Sequence, residues 1–321
     1  MFRTWKIAGA IATIVLCAVA VSLHHMTRVL RIDEAIVDAY INKEDSSQQH
    51  RRVIMRSVLF NSGLWRDWGC SENTSVSISL GRIRGRQKDA VITLRCRSGK
   101  SVVALYEKRN GNYVYFSTVD KFADLRDIQI MPLREQGGSL IVVRERSGFG
   151  ILEEITSISA YVWDNGQFAK VLNINENYKA YYNEPWDDWI RVSERSDIIW
   201  ENSDSPVVRV LMHQNYAIGK STNRKEHPDE SEFEIIQSRT IMEEYVWSGE
   251  WMHFILFEGL DLQNGEPVAV IGDLSESPLG LVEQFNEKTG KYRIKNLDGI
   301  IEIVEKERIR PSIEVKRTRQ I

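Results

Sequence analysis

Three β-hairpin signals recur along the middle of the chain and constrain its fold more than any other feature of the sequence. They are Tyr106–Tyr113 (YEKRNGNY), Tyr161–Phe168 (YVWDNGQF) and Tyr245–Trp251 (YVWSGEW). Each places aromatic and β-branched residues around an Asn-Gly or Ser-Gly pair, which is typical of a tight hairpin turn. Apolar strand-like segments precede the hairpins at Ala90–Cys96, Ser139–Val143 and Pro206–Met212. Residues 70–260 are therefore predicted as a β-repeat domain of three units with about four strands each.

This unit resembles the degenerate blade-like repeats of exported bacterial proteins, which are related to the integrin-type propeller repeat. The resemblance rests on an apolar strand, the segment Tyr-Val-Trp-Asp-Asn-Gly-x-Phe and a second apolar strand, and it covers residues 72–258. It implies four-stranded blades. Three units are fewer than the four to eight blades of a closed propeller, so an open stack or a sandwich is as plausible as a ring. The family's calcium loop, Asp-x-Asp-x-Asp-Gly, is missing from the sequence.

A second β-region follows at residues 264–316. Its strand-like segments are Pro267–Asp273, Leu279–Phe285, Lys291–Lys295 and Ile300–Val304, and Arg308–Pro311 ends it. The predicted inward positions are Val270, Val282, Ile294 and Ile303. Four short strands within about 50 residues predict a small barrel. The polar segment Asp261–Gly265 is the expected link to the preceding repeats.

This barrel resembles the SH3-like barrels of the Tudor and KOW kind. The matching elements are Gly280-x-Val282, Thr289–Arg293, Asp298-Gly299 and Arg308–Pro311. The resemblance implies a structural or protein-contact module. A nucleic-acid-binding barrel needs a basic face, whereas residues 264–316 contain ten acids and eight bases.

The N-terminus carries a membrane-targeting signal. Arg3 and Lys6 precede Ile7–Leu23, 17 residues without a charge, which as a helix would span roughly 26 Å. The charge order predicts a cytoplasmic N-terminus and an extracytoplasmic bulk, attached to the cell membrane by residues 7–23. Residues 1–26 are thus a single-pass signal anchor or, alternatively, a signal peptide cleaved after Ala20.

Residues 27–69 are predicted to be mainly helical. Apolar residues recur near helical spacing up to Ile41, the polar run Lys43–His50 interrupts them, and Val53–Leu64 is a second short helix. One interpretation is a stalk or dimerising helix close to the membrane. The favoured alternative is a helix packed against the following domain.

Export across the membrane also changes the expected redox state of the cysteines, because thiols outside the cytosol tend to form disulfides. A bridge between Cys70 and Cys96 would close a loop of about 26 residues and stabilise the fold by roughly 3 kcal/mol. The alternative is a pair of free buried thiols. Neither cysteine has the spacing of a metal or redox motif.

One segment is rich in aromatic residues beside carboxylates, a combination that suits stacking on sugar rings and hydrogen bonding to their hydroxyls. Its members are Tyr178, Tyr181, Tyr182, Trp186, Asp187, Asp188 and Trp189. The segment is the candidate ligand-binding site for cell-envelope glycan or peptide. The alternative is that the same rings fill the space between repeats.

No motif in the sequence indicates catalysis, and no cofactor or metal is expected. The net charge of −3 provides no drive toward nucleic acid. The leading hypothesis is a non-enzymatic, membrane-anchored extracytoplasmic interaction or scaffolding protein with a protein or envelope partner. The alternatives are the glycan- or peptide-binding module and a hydrolase that uses Glu184, Asp187 or Asp188.

Overall fold

The computed structural model describes most of the chain and shows a mainly β protein with curled sheets. The described residues are 30–43, 47–65, 74–85, 88–96, 99–133, 137–149, 152–183, 188–201, 203, 205–220, 226–281 and 290–312. They form two α-helices, Glu34–Ile41 (α1) and Ser47–Asn61 (α2). Short 3-10 turns lie at Glu230–Glu232, Leu274–Glu276, Pro278–Leu281 and Lys306–Arg308.

The strands of the described residues belong to three sheets. The first contains β1 (Arg31–Asp33), β2 (Ser75–Gly81), β3 (Asp89–Arg95), β4 (Ser101–Arg109) and β5 (Asn112–Phe122). The second contains β6 (Asp124–Leu133), β7 (Gly138–Phe149), β8 (Glu153–Asp164), β9 (Gln167–Asn183), β10 (Asp188–Glu201), β11 (Val207–Lys220), β12 (Phe233–Ser248) and β13 (His253–Ile255). The third contains β14 (Phe257–Asp261), β15 (Pro267–Asp273), β16 (Lys291–Lys295), β17 (Ile301–Glu305) and β18 (Ile309–Pro311).

The first sheet, of order β1-β5-β4-β3-β2, carries both helices on one face. Val37 of α1 and Ile54 of α2 are fully buried in a core shared with the sheet. The hydroxyl of Tyr106 lies 3.1 Å from Ser57 Oγ, which ties α2 to β4. The helices therefore pack on the following domain, the alternative that the sequence favoured over a stalk.

The opposite face of the first sheet packs against the start of the second. Val91 and Val103 share a core with Ile141 and Tyr161. Because β3 and β4 are covered on both faces, their sequences read as continuous apolar runs.

The second sheet is an antiparallel meander of order β13-β12-β11-β10-β9-β8-β7-β6. It curls, so that one face, called here the inner face, closes over a core in which Leu172 and Val210 meet Trp247 and Phe254. The second and third hairpins lie in this one sheet, and β9 pairs directly with β10. The described residues thus form sheets of five and eight strands where the sequence predicted three four-stranded units.

The third sheet, of order β17-β16-β15-β14-β18, begins at Phe257, before the boundary predicted at residue 264. The predicted link Asp261–Gly265 is the turn between β14 and β15. Asp261 is buried and receives two hydrogen bonds from Arg308, Nε to Oδ1 at 2.7 Å and Nη2 to Oδ2 at 2.5 Å. This bidentate pair fixes the turn to the segment that precedes β18.

Two sequence predictions for this region are corrected. Ile303 is 57% exposed and Val304 is buried instead, because β16 pairs with β17 so that Val304 lies opposite Tyr292. Pro278–Leu281, at the start of the predicted strand Leu279–Phe285, is a 3-10 turn. Val270 and Ile294 are buried as predicted, and Val282 lies outside the described residues.

Two further predictions concern residues outside the described ranges. Residues 1–29, which include the predicted membrane segment, are among them. In the part of the chain that is described, no helix has the length and apolar character to span a membrane. Cys96 is buried. Cys70 is not described, so its pairing with Cys96 stays a prediction.

Candidate functional site

The aromatic segment is divided between the two faces of the second sheet, because successive residues of a strand point in opposite directions. Tyr181 and Trp189 lie on the outer face, 8% and 3% exposed, and pack with Phe233. The His227 ring stacks on Tyr181 with centroids 3.9 Å apart. These two rings are therefore covered by neighbouring side chains.

Tyr178 and Tyr182 lie on the inner face beside Ile190 and Val192. Their hydroxyl oxygens are 3.1 Å apart. Burial, with the Tyr182 hydrogen bond, raises the pKa of Tyr178 well above its usual range, so its hydroxyl stays protonated at neutral pH.

The remaining residues of this segment are only partly described. Asp188 is half-buried at the start of β10, and Trp186 and Asp187 lie outside the described residues. The ligand-binding role predicted for the whole segment stays a prediction. The same holds for the hydrolase, because Glu184 is also outside the described ranges.

An open groove of about 710 Å³ lies on the outer face of the second sheet, across β8 to β11. We call it the outer groove, and two rows of cross-strand neighbours form its floor. One row is Thr156, Asn177, Arg195 and His213. The adjacent row is Glu154, Lys179, Ser193 and Asn215. The floor is thus built almost entirely from polar and charged side chains.

The inner face holds a chain of polar side chains, which we call the interface cluster: Glu194 and Gln214, which are buried, and Asn175 and Arg239, which are half-buried. Gln214 Nε2 donates to Glu194 Oε2 at 2.5 Å and to the Glu276 carbonyl at 2.6 Å. Arg239 Nε donates to Gln214 Oε1 at 2.7 Å.

Arg239 also reaches the segment that follows β15. Its Nη2 donates to the carbonyls of Ser275 and Ser277, at 3.0 and 2.7 Å. The interface cluster therefore fastens residues 274–281, which belong to the third-sheet region, to the inner face of the second sheet.

A second carboxyl is buried on the same strand as Arg239. Glu243 is 7% exposed and accepts a hydrogen bond from the Tyr245 hydroxyl at 2.6 Å. Burial raises its pKa to about 8, and burial raises the pKa of Glu194 to about 7 against the opposing hydrogen bond from Gln214. Both carboxyls therefore hold a proton for much of the time at neutral pH, which lowers the cost of burying them.

Sequence reasoning missed the interface cluster, although a signal was present. In β10, Val192, Glu194 and Ser196 alternate on the buried face, so a charged residue stands where the strand pattern requires an inward side chain. Such a position indicates a buried polar partner. The groups that complete the cluster come from β11, β12 and residues 274–281. No local sequence pattern reveals that these segments meet.

An apolar surface lies at the far edge of the third sheet. We call it the apolar tip; it consists of Leu297, Ile300, Ile301 and Ile303, which are 60%, 53%, 51% and 57% exposed. Among the described residues, only β16 pairs with β17, the strand that carries Ile301 and Ile303. The tip thus combines exposed apolar side chains with an edge strand.

No protein-family model matches the chain, and no curated protein is significantly similar to it. Within the described residues, no group of three or more His, Cys, Asp or Glu side chains is placed to hold a metal ion.

Proposed function

We propose that this chain is a non-enzymatic, membrane-anchored extracytoplasmic protein that acts in interaction or scaffolding. In this proposal residues 7–23 anchor it with the N-terminus in the cytoplasm. The third sheet is interpreted as the SH3-like barrel and presents the apolar tip to an envelope protein. The exposure of the tip is the observation that carries the proposal.

The physical basis is the clustering of the exposed side chains. Single exposed apolar residues are common on protein surfaces, whereas a contiguous group is typical of a contact site. Here four large apolar side chains, each at least half exposed, occur within seven residues, 297–303. The tip does not build the core of its own sheet, since Val270, Ile294 and Val304 fill that core.

The flanking charges indicate what the partner surface looks like. The cross-strand neighbours of Ile301 and Ile303 on β16 are Lys295 and Arg293. A partner with an apolar centre and carboxylates at its rim would match both features, because the rim pairs steer association while the apolar centre supplies affinity.

Co-purification from the native membrane tests the proposal. The double substitution Ile301→Glu with Ile303→Glu should remove a specific co-purifying protein without unfolding the chain, because both side chains are exposed. Ile199→Glu is the matched control, since Ile199 is 59% exposed on the second sheet. Retention of the same partner by the double variant would refute the role of the tip.

The proposed topology has its own test. Cysteine reporters placed in residues 30–60 should react with a membrane-impermeant reagent added outside the cell. Labelling only after the membrane is permeabilised would place these residues in the cytoplasm and contradict the proposal. A parallel pull-down on purified cell-wall material would instead favour the glycan- or peptide-binding alternative if it captured the protein.

A further inference from the structure

The outer groove contains one cation, Arg195, that has no partner among the described residues. Arg195 is exposed, and its guanidinium forms no hydrogen bond or ion pair with another described residue. Arginine side chains on this sheet otherwise tend to be paired; Arg209, for example, contacts Glu201 and Glu244. A free guanidinium at the centre of a groove is a planar donor suited to a carboxylate or phosphate.

Side chains that can form hydrogen bonds lie next to Arg195 on the neighbouring strands. Asn177 and His213 lie directly opposite it on β9 and β11, with Thr156 beyond Asn177. The side chains of Asn177 and Thr156 form no hydrogen bond with another described residue. His213 Nδ1 is 3.1 Å from Thr240 Oγ1, which fixes the ring against β12. Hydroxyl and amide groups of this kind can each both donate to and accept from ligand hydroxyls.

The charge around Arg195 limits the charge of the ligand. Lys179 is paired with Glu230, and Glu154 is paired with Arg146 at 3.0 Å. Among the described residues, the one ionic neighbour of Asp197 is His213, whose Nε2 lies 4.0 Å from Asp197 Oδ2. One free cation therefore lies beside an acid that would repel a dianion such as phosphate, and a single carboxylate is the better match.

We infer that the outer groove binds a hydroxyl-rich ligand with one carboxylate, of the acidic-oligosaccharide class, through Arg195. The groove volume falls in the range of sites that hold small-molecule ligands. This site lies on the second sheet, away from the apolar tip. A failure of this inference would therefore leave the proposed interaction role untouched, and the reverse also holds.

Ligand-observed NMR titration of the full chain in detergent micelles tests this inference. The probes are an aldobiouronic acid, with one glucuronate linked to one neutral sugar, and cellobiose as the neutral match. We expect the acidic disaccharide to bind at least tenfold more tightly than cellobiose. Arg195→Gln should reduce its affinity to that of cellobiose, and added salt should weaken it.

Two controls make the result specific. Lys220→Gln removes one exposed positive charge at the far end of β11 and should leave binding unchanged. Inorganic phosphate at the same concentration should not displace the disaccharide.

Equal binding to wild type and Arg195→Gln, equal affinity for the two disaccharides, or displacement by phosphate would each overturn the inference. An unchanged melting temperature shows that Arg195→Gln still folds, and Asn177→Ala provides a second variant of the floor.

Discussion

The buried carboxyl of Glu243 should make the stability of the protein depend on pH. Its pKa is raised from 4.5 to about 8, mainly by burial. The folded state therefore holds a proton that the unfolded chain releases above about pH 4.5. The stabilisation is complete below that pH and is lost as the pH rises toward 8.

The magnitude follows from the difference of about 3.5 pKa units between 8 and 4.5. At 1.36 kcal/mol per unit, the free energy of unfolding should fall by roughly 4 kcal/mol between pH 4.5 and pH 8, and by roughly 3 kcal/mol between pH 4.5 and pH 7. Glu243→Gln removes the charge and keeps an oxygen that accepts from Tyr245. The variant should therefore lose most of this dependence and gain stability over wild type as the pH rises.

Urea unfolding of the full chain in detergent micelles, followed by tryptophan fluorescence at pH 5, 6, 7 and 8, measures the effect. Glu244→Gln is the matched control, because Glu244 is exposed on the same strand and contacts Arg209. Glu194, whose raised pKa is about 7, adds a smaller total loss of stability with rising pH in all three proteins. If wild type and Glu243→Gln lost stability equally between pH 5 and 8, the assignment of Glu243 as a buried protonated acid would be refuted.

Three further predictions concern other buried or half-buried groups. Arg239→Met removes the donors that hold residues 274–281, so hydrogen exchange of these residues should increase by at least tenfold, whereas Arg209→Met should leave it unchanged. Burial lowers the pKa of His253 to about 4, so stability should fall by up to roughly 3 kcal/mol as the pH drops from 6.5 to 4; His253→Gln should flatten this part of the urea-unfolding profile. Cys96 should be found joined to Cys70 in peptides from the non-reduced protein by mass spectrometry, and two free thiols would contradict the pairing.

Local turn chemistry made part of the fold predictable. Asn110-Gly111 and Asn165-Gly166 have positive φ values, 48° and 73° in the first pair and 44° and 90° in the second, as hairpin turns of this kind require. The strands β15 and β16 have the bounds that their alternation predicts. These features depend on residues close together in the sequence.

The way the hairpins join into sheets was not predictable in the same way. Pairing of β9 with β10 merges two predicted units into one sheet, and it depends on contacts that no turn motif encodes. Ile303 and Val304 are both apolar, so alternation alone could not decide which faces inward.

The division of the candidate aromatic segment could have been predicted. Tyr181 has an odd residue number, whereas Tyr178 and Tyr182 have even ones. Along a regular strand, odd-numbered and even-numbered residues lie on opposite faces. Assigning the segment as a strand would therefore have shown that these rings do not share one face. The outer groove and the interface cluster needed the pairing of several strands and could not be found this way.

Site-specific photo-crosslinking in the native membrane tests the proposed interaction role most directly. A photoreactive amino acid at position 301, in the apolar tip, should give one discrete crosslinked band that contains an envelope protein, and the same probe at position 199 should not. If positions 301 and 199 gave the same pattern, or if position 301 gave no crosslink, the account of this chain as an interaction protein that acts through its third sheet would be contradicted.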